Sequence, residues 1–211
     1  MMEILAHRGF WDHPHERNTM LAFCRAWEHG FGIETDVRDQ DGELVISHSI
    51  PSGRKTTFRS FARQYAIDGN NTTLALNIKA DGLQDLLREI LLECSIDRYF
   101  LFDMAVPDAV ISLGHQLKCF TRLSEYEPQA AFAKEAHGVW IDCFEGPWLG
   151  PEEFNEVGQQ FSHIALVSPE IHGRSPDELW PWLRQSISND LSVYLCTDQP
   201  HESKDFFDGA H

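Results

Sequence analysis

Eight short apolar runs recur along the chain, at 3–9, 32–38, 73–79, 99–104, 117–123, 138–144, 163–170 and 191–198. Each is six to eight residues long and nearly continuous in apolar character, the pattern of strands covered on both faces. Between them the period lengthens to that of amphipathic helices, as in MLAFCRAWEHG (20–30) and LQDLLREILLEC (83–94). Asn18 is expected to cap the first of these helices, Gly30 to stop it, and Asp81 to cap the second. Strands alternating with helices predict a parallel sheet under helices, and eight repeats predict a closed (β/α)8 TIM barrel of the shorter kind. A further apolar run, ELVISHS (43–49), follows the second strand after only Asp41-Gly42. That gap is too short for a helical crossover, so it predicts a hairpin-like segment between strands 2 and 3. A doubly wound open sheet is the competing arrangement, but its GxGxxG loop is absent.

The 211 residues hold no repeat, low-complexity tract or linker, and 42 % are apolar, which predicts a single domain over 1–211. The net charge of −16 argues against nucleic acid or an anionic membrane as partner. An anionic small molecule would need a local cluster of cations, or a metal, against that field. No apolar run reaches the ~20 residues of a transmembrane segment. The N-terminus lacks the pattern of a secretory signal. Cys24, Cys94, Cys119, Cys143 and Cys196 show no metal-binding spacing and are odd in number. Reduced thiols in a cytoplasmic protein fit this usage.

In a barrel the chemistry sits where the strands end, and here nearly every strand ends in a polar or charged group. The ends carry His7-Arg8, Glu34 and Asp36, Asn77 and Lys79, Asp103, Arg122, Asp142, Ser168 and Glu170, and Thr197-Asp198. The third strand, TLALNIK, poses a problem, because a Lys in a buried strand needs an anion beside it. Glu34 and Asp36 share one strand face, where paired carboxylates either raise a pKa, bind a cation such as Mg²⁺ or Ca²⁺, or stand solvated. His7 supplies a proton carrier, Arg8 a fork suited to phosphate oxygens, and Gly9 a tight turn or a close ligand approach. If the hairpin folds over the mouth, His48 lands opposite His7, and two imidazoles flanking a metal make an acid/base pair for phosphoryl chemistry. His13 and His15 read as loop residues.

These signals meet in a known pattern. AHRG (6–9), RNT (17–19) before a helix, and GIETDVRDQDGELVISH (32–48) resemble the glycerophosphodiester phosphodiesterase family, and more widely the phosphatidylinositol-phospholipase-C-like phosphodiesterases. The resemblance implies a TIM barrel with an extra segment between strands 2 and 3. It implies a divalent cation held by Glu34, Asp36 and a third ligand from the next barrel strand, an acid/base pair of His7 and His48, and phosphate contacts from Arg8 and Lys79. The sequence departs from the family in three places. The usual Glu two residues before the Lys is Asn77, the usual Asp after the second His is Ser49, and the last strand ends in Cys196-Thr197-Asp198-Gln199 rather than aromatic-Thr-x-Asn. Asn offers a cation its carbonyl oxygen but no charge. Asp103, ending the next strand, is the available replacement, directly or through water.

Arg122 and Glu170 are read as further substrate contacts, the carboxylate suiting the hydroxyls of a polyol head group. The expected function is metal-dependent cleavage of a small glycerophosphodiester-like or polyol phosphodiester by histidine acid/base catalysis. A catalytically degenerate barrel that binds a phosphorylated ligand is the alternative, and lyase-type cyclisation of the substrate a third reading.

Overall fold

The structure, a computed structural model, describes residues 2–209. The elements run β1 (Met2–His7), α1 (Met20–Glu28), β2 (Gly32–Gln40), β3 (Glu43–Ile46), α2 (Phe58–Asp68), β4 (Leu74–Ile78), α3 (Gln84–Glu93), β5 (Tyr99–Phe102) and α4 (Val106–Gly114). They continue with β6 (Phe120–Leu123), β7 (Gly138–Ile141), α5 (Pro151–Gly158), β8 (His163–Val167), α6 (Trp180–Ser186), β9 (Ser192–Thr197) and α7 (Pro200–Asp208). Strand order is β5-β4-β2-β1-β9-β8-β7-β6, with β3 attached to β2 alone. Eight parallel strands make the (β/α)8 TIM barrel that the apolar runs predict, with helices in the connections except between β6 and β7, where turns over 124–137 take the helix's place. The ninth strand is the predicted hairpin: β3 pairs antiparallel with β2 from Val37↔Ile46 to Gln40↔Glu43. Asp41 and Gly42, with φ of 51° and 82°, form the tight turn between them. No helix of the described residues is long and apolar enough to cross a membrane.

The chain divides into two compact units. One takes in Ala6–Cys119, and the other β1 as far as Leu5 with everything from Phe120 on. In the first, α1 and α2 bury their apolar stripes, with Phe23 and Phe61 edge to face at 4.8 Å and Trp27 against Phe61 and Tyr65. In the second, Val139, Ile141, Phe154, Ile164, Leu183 and Leu195 anchor a separate core.

Two expected helix caps are corrected. Thr19, not Asn18, caps α1, its hydroxyl accepting from the Ala22 amide. Asn18 sits one residue further out, at φ 59°. Helix α3 starts after Leu83 without a side-chain cap, and Asp81 does not serve. The free amide nearby, that of Gly82, donates instead to Asp108 Oδ1 at 2.8 Å, a carboxylate from α4. Gly30 closes α1 as expected, at φ 75° just beyond His29. Six of the barrel strands end before their apolar runs do; among them β1 stops at His7 and β5 at Phe102, each followed by a residue at positive φ, Arg8 (58°) and Asp103 (65°). The turn after β1 is tight because a Cβ on Gly9 would lie 2.8 Å from Ala22 Cβ, and the Phe10 amide bonds the Ala22 carbonyl at 2.9 Å. The close approach that Gly9 permits is to helix α1.

Candidate active site

The strand register of the Ala6–Cys119 unit carries the polar strand ends to one place. Asp36 on β2 is directly beside Asn77 on β4. The Arg8 amide bonds the Glu34 carbonyl at 2.8 Å, and the Lys79 amide bonds the Val37 carbonyl at 3.0 Å. After β3, the Ser47 amide reaches the Asp36 carbonyl at 3.1 Å, and the Ser47 hydroxyl bonds the Ser49 carbonyl, which fixes the turn bearing His48.

Asp36 is the hub of this cluster and is 0 % exposed. Its Oδ2 accepts from Asn18 Nδ2 at 2.8 Å and pairs with Arg8 Nε at 3.2 Å. Its Oδ1 faces Lys79 Nζ at 3.5 Å. The anion that a Lys at the end of a buried strand requires is therefore Asp36. Asn18 is oriented by Thr35, whose hydroxyl donates to Asn18 Oδ1 at 2.7 Å. Glu34 is also buried, accepting from the Arg8 amide at 3.3 Å and lying 3.8 Å from His7 Nε2. Burial first, and the Asp36 carboxylate second, push its carboxyl up to about 7, against the opposing charges of His7, Arg8 and Lys79.

Asn77, buried at the end of β4, donates Nδ2 to Asp103 Oδ2 at 3.0 Å. Its Oδ1 is then left buried without a hydrogen bond among the described residues, and so is Asp36 Oδ1. Asp103 thus meets the cluster through the Asn77 amide. Among the described residues no group of three or more His, Cys, Asp or Glu is arranged around a common point for a metal. His48 is exposed on its turn. Partial desolvation of the inner part of its ring first, and the Arg8 guanidinium second, hold it below the ordinary histidine value, with Lys79 and His7 acting the same way and Asp36 opposing. Beside Arg8 and His48 opens a cavity of about 550 Å³.

The structure thus gathers His7, Arg8, Glu34, Asp36, Asn77, Lys79 and Asp103, with His48 within their electrostatic reach. Arg122 and Glu170 belong to the other unit. Arg122 pairs with Glu127 at 2.8 Å. Glu170 accepts from the Asp198 amide at 3.0 Å and from the Thr197 and Ser168 hydroxyls, so both its oxygens tie the β8 and β9 ends together. Asp142 pairs with His172 at 2.7 Å. Sequence reasoning missed Asn18 as a site residue. The signal was present in RNT, whose Asn was read as a cap because Asn favours that role.

No family model matches the chain. Over 116 residues, 53 % of its length, it is 34 % identical to YqiK, an uncharacterized protein of Bacillus subtilis strain 168. The match spans about half of that relative, 47 % of its length. Solved structures resemble the whole chain. A candidate glycerophosphodiester phosphodiesterase from Galdieria sulphuraria superposes with a TM-score of 0.77 at 16 % identity, covering 99 % of this chain and 98 % of its own. A glycerophosphodiester phosphodiesterase from Agrobacterium tumefaciens strain C58 gives 0.68 at 14 %, with 100 % of both chains covered. A phosphodiesterase from Oleispira antarctica, solved with its product sn-glycerol-3-phosphate, gives 0.68 at 14 %, covering 98 % of this chain and 97 % of its own. The structural neighbours are glycerophosphodiester phosphodiesterases, and at this identity the likeness is one of fold: a (β/α)8 TIM barrel.

Proposed function

We propose that this protein is a metal-dependent phosphodiesterase acting on a glycerophosphodiester or similar polyol phosphodiester. The observation that carries the reading is the pair of buried oxygens without a hydrogen bond among the described residues, Asn77 Oδ1 and Asp36 Oδ1, the latter met only by the Lys79 ammonium at 3.5 Å, on adjacent strands beside the crowded carboxyl of Glu34. Buried acceptors left without donors are costly, and hard oxygen donors of this kind suit Mg²⁺ or Ca²⁺. Glu34, Asp36 and the Asn77 amide oxygen would hold the ion, with Asp103 orienting the amide by accepting its N–H. A bound divalent ion supplies Lewis-acid stabilisation of charge on the phosphoryl oxygens.

The chain's own groups do the rest. Arg8 and Lys79, both anchored to Asp36, present cations to the phosphate. His48, held below its ordinary pKa, is neutral near pH 7 and takes the proton of the attacking oxygen. His7 gives its proton to the departing alkoxide, its ring steadied beside Glu34 at 3.8 Å. One proton thus enters at His48 and one leaves at His7. The attacker is water in the hydrolytic reading and a neighbouring substrate hydroxyl in the cyclising one, and ³¹P NMR of the products separates the two. The likeness to glycerophosphodiester phosphodiesterases, and the product sn-glycerol-3-phosphate bound to the Oleispira protein, support the substrate class.

The test is hydrolysis of glycerophosphodiesters with Mg²⁺ or Ca²⁺ and with chelator. Activity should need the ion and fall by orders of magnitude in His7→Ala and in His48→Ala. Full activity in the double variant overturns the mechanism. One observation favours the second reading, a barrel that binds a phosphorylated ligand without cleaving it: Asn77 brings no charge where the resembled family has Glu. Tight binding of glycerol phosphate with no turnover of any diester would establish that reading.

A further inference from the structure

The cavity of about 550 Å³ beside Arg8 is lined by Arg8, Arg17, Arg54 and Lys55 together with His15 and His48, and no Asp or Glu lines it. In a chain with 33 acidic and 17 basic residues, that local inversion of charge runs against the background field. Other arginines of the same unit are met by acids: Arg8 by Asp36, Arg25 by Asp12 and Glu16, Arg59 by Glu89 and Glu93, Arg63 by Glu93. Arg54 and Lys55 make no ion pair or side-chain hydrogen bond among the described residues. Their loop is nevertheless fixed on both sides of them. Gln40 Nε2 bonds the Gly53 carbonyl at 3.1 Å, the Ile46 amide bonds the Thr56 carbonyl at 2.9 Å, and Val45 bridges Thr57. Across the cavity, Arg17 lies over the Trp11 ring at 4.1 Å, which sets the orientation of its guanidinium.

We propose that this cavity takes a second phosphoryl group of the substrate, so that the ligand is a phosphodiester whose alcohol also carries a phosphomonoester. The proposal rests on the phosphodiesterase reading for the scissile group, which sits at Arg8, Lys79 and Asp36, and adds Arg17, Arg54 and Lys55 as the grip on the other end. A phosphomonoester is close to a dianion at neutral pH, and adjacent cations with forked donors suit it better than a neutral polyol, which would leave the charges of Arg54 and Lys55 unmatched.

The experiment compares glycerol 1-phosphate with glycerol 1,3-bisphosphate by titration calorimetry in Mg²⁺ buffer. The bisphosphate should bind about tenfold more tightly, a difference of about 1.4 kcal/mol. Arg54→Ala/Lys55→Ala should bring the ratio close to one. Arg88→Ala/Lys134→Ala removes two exposed cations outside the cavity lining and should leave the ratio unchanged. Equal affinities in the unmodified protein, or an equal loss in both double variants, overturn the proposal. A parallel hydrolysis assay on plain and phosphorylated glycerophosphodiesters separates the two readings. If neither diester is cleaved but the binding ratio and its loss hold, the anion subsite stands and the enzymatic reading falls. If cleavage proceeds with equal affinities, the subsite falls alone.

Discussion

At Asp36 three groups share one buried carboxylate: Asn18, Arg8 and Lys79. A buried charge is stable only when so matched, and removing one partner leaves the others uncompensated. Asn77 is balanced differently, its amide N–H spent on Asp103 and its oxygen left over. The negative charge therefore sits on Asp103, just past the end of the neighbouring strand β5, rather than at the β4 end itself. Exchanging the two, Asn77→Asp with Asp103→Asn, keeps one donor and one acceptor in the pair and moves the charge to the β4 end. Asn also tolerates the positive φ of 65° at position 103. The exchange should raise Mg²⁺ or Ca²⁺ affinity by about an order of magnitude, read by calorimetry. Asn77→Asp alone sets two carboxylates against each other and should lower the stability of the metal-free protein. His48 carries the pH prediction. Its pKa is lowered, so the neutral, proton-accepting form persists below the ordinary histidine value of 6.5 and is lost as pH falls through the shifted value. With the divalent ion saturating, so that Glu34 is held ionised by it, the acidic limb of kcat/KM should lie below pH 6.5, and the limb should vanish in whatever activity His48→Ala retains. An acidic limb above 6.5 would assign it to another group.

At the scale of elements, the Asn18–Thr19 pair divides two tasks that one residue was expected to combine. Thr19 caps α1, and Asn18, left-handed just before it, reaches Asp36. Thr19→Ala should therefore cost about 1 kcal/mol, a fall in Tm of about 2–4 °C for a chain of this size, with little change in kcat/KM. Asn18→Ala should spare the helix and reduce activity, by releasing one hydrogen bond on Asp36. The same division explains what was legible in the sequence. All eight barrel strands and the β2–β3 hairpin could be read, because continuous apolar runs and an Asp-Gly turn are local signals. Strand ends could not be placed to the residue, because Arg8 and Asp103 leave the β region only under tertiary constraint. The pairing of Lys79 with Asp36 was open to inference, since a Lys at a buried strand end requires some anion. The spending of Glu170 on Thr197, Ser168 and the Asp198 amide was not, because nothing in SPE or CTD says that the two strand ends bind each other.

Over the whole molecule, a net charge of −16 makes any added cation stabilising to some degree, because screening relieves self-repulsion. A specific ion at Glu34, Asp36 and Asn77 must be distinguished from that background. Binding to the folded state alone adds about 2.7 kcal/mol at a concentration a hundred times Kd. For a domain of this length each kcal/mol moves Tm by about 2–4 °C. Mg²⁺ or Ca²⁺ should therefore raise Tm by about 5–10 °C beyond what NaCl achieves at matched ionic strength. Asp36→Asn should lower the starting Tm, since Arg8 and Lys79 lose their anion, so the decisive quantity is the increment on adding the divalent ion. That increment should shrink to the NaCl value in Asp36→Asn and grow in the Asn77→Asp/Asp103→Asn exchange. If the unmodified protein gains no more from the divalent ion than from NaCl, the carboxylates at the β2 end bind no ion. Asp36 is then the counter-charge of a phosphate-binding Arg and Lys, and the non-catalytic reading takes precedence.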